Sequence, residues 1–268
     1  VTEAGELPRV AVGSMDGTIQ IFDGQTLQPL SAVIPAHPGS VSSVAFSTGG
    51  SRIVTGGTDN TVRVWDAGSD RKINLTAIGG PLIGHHGVVS SVAFNLDTTR
   101  IVSGGVDGSV RVWDAVTGLP IPAQQGPEVR AVAFRPGSTD PGEAQMASGG
   151  FDGTVKLWNP LSASQIGQLG VPGALAINSL AYSPDGTRIV TGGENGLQLW
   201  DLTRLAGLRL DATRPEHTAL PGVRVKSVAF SPDSSMIVSG DRDGWVRVWD
   251  GRTLTLRSEH KVPYQVWS

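Results

Sequence analysis

Histidine, hydroxyl and carboxylate recur together along this chain at constant spacing: His37 with Thr55 and Asp59, then His85 with Ser103 and Asp107. An imidazole set between a hydroxyl and a carboxylate is the arrangement with which hydrolases activate a nucleophile. Catalysis calls for one exposed set beside an oxyanion-stabilising pocket, whereas here the set repeats, each time followed by an indole, Trp65 or Trp113. Repetition points to structure, and no catalytic residue is assigned. His85-His86 could offer two metal ligands, but no third stands at metal-binding spacing, so neither a metal site nor a cofactor is expected. The Gly-Gly pairs at 56–57, 104–105, 149–150 and 192–193 lack the Lys-Ser/Thr of a phosphate loop and belong to turns.

The elements that must position these groups form a repeat. VSSVAFSTGGSRIVTGGTDNTVRVWD (41–66), VVSSVAFNLDTTRIVSGGVDGSVRVWD (88–114) and VKSVAFSPDSSMIVSGDRDGWVRVWD (225–250) nearly superimpose, and diverged copies lie at 129–159 and 177–201. A partial copy, RVAVGSMDGTIQIFD, occupies 9–23. The closing aromatics Phe22, Trp65, Trp113, Trp158, Trp200 and Trp249 are separated by 43, 48, 45, 42 and 49 residues. Within a copy, VxxVAF alternates as a half-buried strand, a turn follows, and RIVTGG and TVRVWD flank a tight Asp-Gly or Asp-Asn turn. Three antiparallel strands result, a, b and c, and the variable stretch behind the closing aromatic, such as INLTAI or TLTLRSEH, supplies a shorter strand d. Eleven of the fifteen aromatics hold repeat positions, the closing six together with Phe46, Phe94, Phe134, Tyr182 and Phe230, and are expected in the core. Phe151 and Trp245 have no such role.

These residues resemble the WD-repeat β-propeller family, over nearly the whole chain. The resemblance implies an all-β propeller, because one twisted sheet buries neither face alone, and the six copies with the tail strand imply six four-stranded antiparallel blades. The expected divisions are blade 1 at 9–36 plus 261–268, blade 2 at 37–84, blade 3 at 85–124, blade 4 at 125–172, blade 5 at 173–217 and blade 6 at 218–260. The first copy lacks strand a. His260, Tyr264 and Trp267 repeat the spacing of His37, Val41 and Val44, so the tail YQVWS is expected to close the ring as the C-terminal strand joining the N-terminal blade. The resemblance also makes His37, Thr55, Asp59 and Trp65, and His85, Ser103, Asp107 and Trp113, structural hydrogen-bonded tetrads. Other copies depart from the pattern. Gln124 or Gln125 lies near the histidine position before Ser148, Asp152 and Trp158; the fifth copy has Thr191 and Trp200 with Glu194 or Asn195 at a shortened turn; the sixth has Ser239, Asp243 and Trp249 with His217 displaced; the first has Asp16 with Val12 and Phe22.

Composition bounds the rest. Among 268 residues, 36 Gly and 17 Pro leave little room for long helices, and the absence of cysteine excludes disulfides, thiol catalysis and thiolate metal sites. With 21 basic against 24 acidic residues and no dense Lys/Arg block, no nucleic-acid partner is expected. No apolar stretch is long enough to cross a bilayer, so no membrane insertion and a cytoplasmic location are expected. Arginine outnumbers lysine 17 to 4, which suggests a GC-rich bacterial genome. Arg63, Arg111, Lys156 and Arg247 occupy one position of strand c and are read as solvated or bridging between copies.

The expected function is a non-catalytic scaffold or sensor module that binds a protein or peptide, attached in bacteria to a larger signalling regulator. The alternatives are a hydrolase or lyase with a central-channel site and a ligand-free architectural spacer. The residues preceding the turn acids vary from copy to copy while their surroundings repeat. Met15, Thr58, Val106, Phe151, Glu194 and Arg242 are therefore expected to line the partner-binding face, with Trp245 as an outlying contact or a filler between blades.

Overall fold

The structure is a computed structural model that describes residues 8–68, 73–137, 146–162, 164–170, 174–203, 210–212, 214–264 and 266. The described residues hold strands and no α-helix, and they divide into two compact units, Val1–Val129 and Arg130–Ser268.

In the first unit, β1 (Arg9–Gly13), β2 (Thr18–Asp23) and β3 (Ile34–Pro35) make a three-stranded antiparallel sheet 1. Sheet 2 contains β4 (Val41–Phe46), β5 (Arg52–Gly57) and β6 (Thr61–Asp66), with the short β7 (Thr76–Ala77) and β8 (Leu82–Ile83) both pairing with β6. Sheet 3 is the meander β9 (Val89–Phe94), β10 (Arg100–Gly105), β11 (Ser109–Asp114) and β12 (Pro120–Gln125).

In the second unit, sheet 4 runs β13 (Val129–Phe134), which opens at the unit boundary, then β14 (Met146–Gly150), β15 (Val155–Asn159) and β16 (Ser164–Leu169). Sheet 5 holds β17 (Ile177–Tyr182), β18 (Arg188–Gly193), β19 (Gly196–Asp201) and β21 (His217–Ala219). Between the last two, β20 (Leu210–Ala212) leaves to pair in parallel with β16, a fifth strand that no repeat position announces. Sheet 6 is β22 (Val225–Phe230), β23 (Met236–Asp241), β24 (Trp245–Asp250) and β25 (Leu256–Lys261).

Each hydrophobic core lies between neighbouring sheets of a unit rather than within one. Ile19 and Ile21 of β2 pack with Val41, Ile53 and Trp65 of sheet 2. Val62 and Val64 meet Val89, Ile101 and Trp113 of sheet 3. Leu157 and Leu169 meet Ile177, Ile189 and Trp200 in sheet 5, and Leu197 and Leu199 meet Val225, Ile237 and Trp249 in sheet 6. The first glycines of three Gly-Gly pairs, Gly56, Gly149 and Gly192, make this approach possible. A Cβ on Gly56 would come within 2.6 Å of Val89, and one on Gly192 within 2.6 Å of Val225.

Two expectations about the aromatics and the tail need correction. The closing tryptophans are buried, but Phe46, Phe94, Phe134 and Phe230 are only half-buried, and Tyr182 alone of its set is fully buried. Arginines cover two of these rings: Arg9 lies over Phe46 at 5.7 Å and Arg188 over Phe230 at 6.0 Å, each reaching from the sheet before. In the tail, Val266 takes the place assigned to Tyr264. Its N–H donates to the Asp241 carbonyl at 3.2 Å as that of Val41 does to Ser14 at 2.9 Å, and its side chain covers Gly240 as Val41 covers Gly13. β25 pairs with β24 as far as Trp245 opposite Lys261, the place at which Thr61 faces Ile83 in sheet 2, and the first-strand position is then reached in five residues, at Val266, where six lead from Ile83 to Val89. Tyr264 is exposed and His260 sits on β25 opposite Val246. Gln265, Trp267 and Ser268 lie outside the described residues, as do 138–145 of the long loop between β13 and β14.

Candidate functional site

The tight turn between second and third strands is the element on which the site is built. Its acid is followed by a residue in the left-handed region: Gly17, Asn60, Gly108, Gly153 and Gly244 have φ between 65° and 86°. Glycine and asparagine reach that region with little strain. The acid then accepts from the hydroxyl two residues on, Thr18, Thr61, Ser109 or Thr154, at 2.7 to 2.9 Å. Sequence reasoning overlooked these hydroxyls, although the Asp-x-Thr/Ser pattern was their signal.

In sheets 2 and 3 the turn acid is tied inward. His37 Nδ1 lies 2.9 Å from Asp59 Oδ1 and its Nε2 2.8 Å from Thr55 Oγ1, to which Trp65 Nε1 donates at 3.0 Å. His85 Nδ1 lies 3.1 Å from Asp107 Oδ1, its Nε2 2.7 Å from Ser103 Oγ, and Trp113 Nε1 donates to that oxygen at 2.8 Å. Burial holds both imidazoles below the ordinary histidine range, against the opposing pull of Asp59 and Asp107. The neutral ring donates from Nδ1 to the carboxylate and accepts the hydroxyl proton at Nε2. Burial alone would raise Asp107, but the backbone N–H of His86, the Ser109 hydroxyl and backbone, and His85 bring it down to about 2. The connectivity is that of a nucleophilic triad. Access is what it lacks, because Thr55 and Ser103 are fully buried and each hydroxyl oxygen already receives an indole N–H. Each chain of donors joins groups that would be costly to bury unpaired.

The remaining copies keep only parts. Trp158 donates to Ser148 at 2.9 Å in sheet 4, while the side chains of Gln124 and Gln125 lie outside the described residues. In sheet 5 the contacts are long, 3.5 Å from Trp200 to Thr191 and 3.5 Å from Thr191 to Gln198. His217 pairs through its backbone with Leu199 of sheet 5 and takes no part in sheet 6.

Sheet 6 replaces the network with ions. Asp241 stands where sheets 2 and 3 have Gly57 and Gly105, and it is 2% exposed. It accepts backbone N–H groups from Asp243 and Trp245 and pairs with Arg247 Nη1 at 2.5 Å, while Arg247 Nε reaches Glu259 at 2.9 Å. Trp245 fills the hydroxyl position and is held between Arg247 and Lys261, whose charges lie 5.1 and 5.4 Å from its ring. It packs on its own sheet. Two of the strand c cations pair with the acid of their own turn while staying partly exposed: Arg63 lies 3.8 Å from Asp59 and Lys156 3.2 Å from Asp152.

The residues preceding the turn acids are carried outward from fixed backbone. The N–H groups of Thr58, Val106, Glu194 and Arg242 donate to the carbonyls of Ser40, Val88, Ala176 and Arg224, the residues just ahead of each first strand. In the first unit Met15, Thr58 and Val106 are exposed, Met15 at 88%. In the second, Phe151 is 60% exposed with Arg130 over its ring at 5.5 Å, Arg242 is exposed, and Glu194 is half-buried in an ion pair with Arg224 at 2.5 Å. Among the described residues no three His, Asp or Glu side chains are grouped to share a metal ion.

Known proteins place this arrangement. The pattern of the WD domain, G-beta repeat, matches residues 28–66, 78–114, 120–159, 167–201 and 212–250. The APC/C activator protein CDC20 of Saccharomyces cerevisiae is 37% identical over 57 residues, 21% of this chain and 9% of that protein. The U5 small nuclear ribonucleoprotein 40 kDa protein of Dictyostelium discoideum is 44% identical over 59 residues, 22% of this chain and 16% of its own length. WD repeat-containing protein 1 of Gallus gallus is 30% identical over 73 residues, 26% of this chain and 12% of that protein. These relatives are eukaryotic, and the matched stretch is a small part of each. Proteins of this repeat type are generally interaction scaffolds. With five matched repeats spanning most of its length, the chain belongs to the WD domain, G-beta repeat family.

Proposed function

We propose that the chain is a non-catalytic interaction module that binds a protein or peptide through the side chains preceding its turn acids. The observation that carries this reading is a combination of rigidity and variation. The backbone at Thr58, Val106, Glu194 and Arg242 is pinned to the residue just ahead of the first strand of the same sheet, while Met15, Thr58, Val106, Phe151, Glu194 and Arg242 differ in type. Binding residues on a rigid scaffold behave this way, and exposed aromatic, methionine and arginine side chains are favoured anchors. Trp245, half-buried beside its two cations, contributes at the edge. The buried hydroxyls leave no accessible nucleophile in the two complete tetrads, which supports a binding role over a hydrolytic one.

The proposal includes six blades closed by the C-terminal tail, a cytoplasmic location, attachment to a bacterial signalling regulator, and a protein rather than a nucleic acid as partner. The place of Val266 over Gly240 supports a strand beginning there, and the preponderance of arginine supports the bacterial origin. Two relatives carry names of an APC/C activator and of a small nuclear ribonucleoprotein, which are assemblies. The test is affinity capture followed by substitution. Phe151→Ala and Arg242→Ala should each weaken the captured partner by more than about 1 kcal/mol while leaving the melting temperature unchanged. Full binding by both variants, with loss on changing the 135–148 loop, would place the functional surface elsewhere.

A further inference from the structure

The outermost strand of a sheet leaves a row of backbone N–H and C=O groups unanswered, and such an edge invites pairing with another chain. The fourth strands of this molecule show how each outer edge is treated. β3, β7, β8 and β21 are only two or three residues long. β12 carries Pro120 and Pro122, which have no N–H to offer. β16 is covered, because β20 pairs in parallel with Gly167, Gln168 and Leu169. β25 has none of these protections. It runs six residues without a proline, all six are exposed, and among the described residues no strand pairs with its outer side.

The register tells which backbone groups face outward. The Val262 N–H donates to the Gly244 carbonyl, and pairing continues from there through His260 opposite Val246 and Ser258 opposite Val248. In an antiparallel ladder the bonds to the neighbour fall on alternate residues, so the N–H and C=O groups of Glu259 and Lys261 point away from β24. The side chains along this edge are charged. Arg257 is held by Asp250 at 2.6 Å and Glu259 by Arg247 at 2.9 Å. Lys261 differs from both. Its ammonium lies 5.4 Å from the Trp245 ring, and among the described residues no carboxylate pairs with it.

We propose that the outer edge of β25 receives an extended acidic peptide as a further strand of sheet 6, its backbone bonded to Glu259 and Lys261 and a carboxylate set beside the Lys261 ammonium. Sheet 4 displays the arrangement within this chain, since β20 adds to a fourth strand over three residues. Main-chain bonds supply the affinity, and the side chains alongside select the sequence. An opposite charge beside Lys261 stabilises the pair as cross-strand neighbours do. Charge also disfavours a second copy of this chain as the occupant. Its β25 brings Arg257 and Lys261 with a single carboxylate, Glu259, that Arg247 already engages. The edge is a surface additional to the residues that precede the turn acids, so its test is independent of theirs.

The experiment screens the full chain against a display library of extended peptides, in which β-branched residues alternate with randomised ones, and measures the enriched peptides by fluorescence anisotropy. These should carry Asp or Glu at randomised positions and lose affinity about tenfold or more on Glu259→Pro, which removes an outward N–H while keeping the bonds to β24. Glu259→Gln loses the same carboxylate but keeps the N–H, and should retain binding. Lys261→Gln should weaken the acidic peptides several-fold. Methylating alternate amides of the peptide itself tests the same bonds from the other side, and serves where the proline variant is unstable. No enrichment, enrichment of neutral or basic peptides, equal losses in the two Glu259 variants, or binding indifferent to both proline and amide methylation would overturn the inference. So would a dimer of the full chain that Glu259→Pro dissolves, which assigns the edge to a second copy. Peptides that lose binding on Phe151→Ala or Arg242→Ala but not on Glu259→Pro would remove this inference and leave the interaction-module reading standing.

Discussion

In sheet 3 the second strand ends in Gly105, and in sheet 6 the matching residue is Asp241. That one difference reorganises everything packed around it. A Cβ on Gly105 would lie 2.7 Å from both His85 Nδ1 and Asp107 Oδ1, so the neutral tetrad needs a residue without a side chain there. Asp241 fills that space, and no imidazole is placed there. Its charge must then be matched from within the sheet, and Arg247 and Glu259 supply a run of alternating charges. Both solutions anchor the same tight turn beneath the same Trp-to-serine hydrogen bond, 2.8 Å for Trp113 and 2.9 Å for Trp249. The lesson is that the indole and hydroxyl form a transferable unit, whereas the imidazole occurs only where a glycine leaves room for it, and the glycine itself persists without an imidazole, as Gly193 does in sheet 5.

The sharpest way to break the comparison is to remove one charge from sheet 6. Arg247→Leu leaves the Asp241 carboxylate buried with only backbone donors, and should cost about 3 kcal/mol of folding stability in urea unfolding. Adding Asp241→Gly to that variant should recover much of the loss, because no unpaired ion then remains. A double variant no better than Arg247→Leu would show that packing by the arginine, rather than its charge, holds this sheet.

Next in size comes the neutral network. Trp113→Phe keeps an aromatic ring but removes the donor to Ser103, and should cost about 2 kcal/mol. Trp200→Phe should cost less, since the Trp200 to Thr191 contact is 3.5 Å and no histidine follows it. Equal urea midpoints for the two variants would mean that the short bonds of sheet 3 contribute nothing beyond packing.

A third substitution should stabilise. Tyr182 occupies the position held elsewhere by Phe46, Phe94, Phe134 and Phe230, but its ring is buried and its hydroxyl has no hydrogen-bond partner. Burial also drives that phenol well above the ordinary tyrosine range. Tyr182→Phe should raise stability by about 1 kcal/mol, the desolvation of an unmatched hydroxyl being relieved. A loss of stability would reveal a partner for the hydroxyl.

How much of this could be read from residue order differs between the two sheets. The repeat, its strands and the tetrads' residues stand at constant offsets, because b, c and the turn between them form one hairpin of nearly fixed length. Glu259 was not legible, since it lies on a fourth strand whose spacing varies. Asp241 stands at a repeat glycine position, and nothing in residue order marks its carboxylate as buried. The bulge that skips Lys226 between β22 and β23 is an event of pairing, and alternation of apolar residues carries no sign of it. Phe151 stood out as an aromatic without a repeat role, but its contact with Arg130 comes from the strand before and required the fold.

The smallest expected effect is one of pH, and it belongs to the tetrads because the ion cluster of sheet 6 contains no imidazole. Burial lowers His37 and His85 below the ordinary value, while Asp59 and Asp107 oppose that shift, so the net effect should remain below those of the substitutions. A histidine whose folded pKa lies below its unfolded one contributes its full stability above the unfolded value, near about 6.5. As pH falls through that value toward the folded one, the unfolded chain takes up protons that the native rings resist, and stability declines. Asp107 is not involved there: held at about 2, it contributes above the ordinary aspartate range and loses its contribution only as pH falls toward that lower value. Melting temperatures taken from about pH 8 down to about pH 5 should therefore fall. The His37→Gln, His85→Gln double variant should be less stable throughout, with a flatter slope across this window. A slope unchanged in that variant would show that other groups set the acid sensitivity, and would separate the neutral network's contribution to strength from any contribution to pH response.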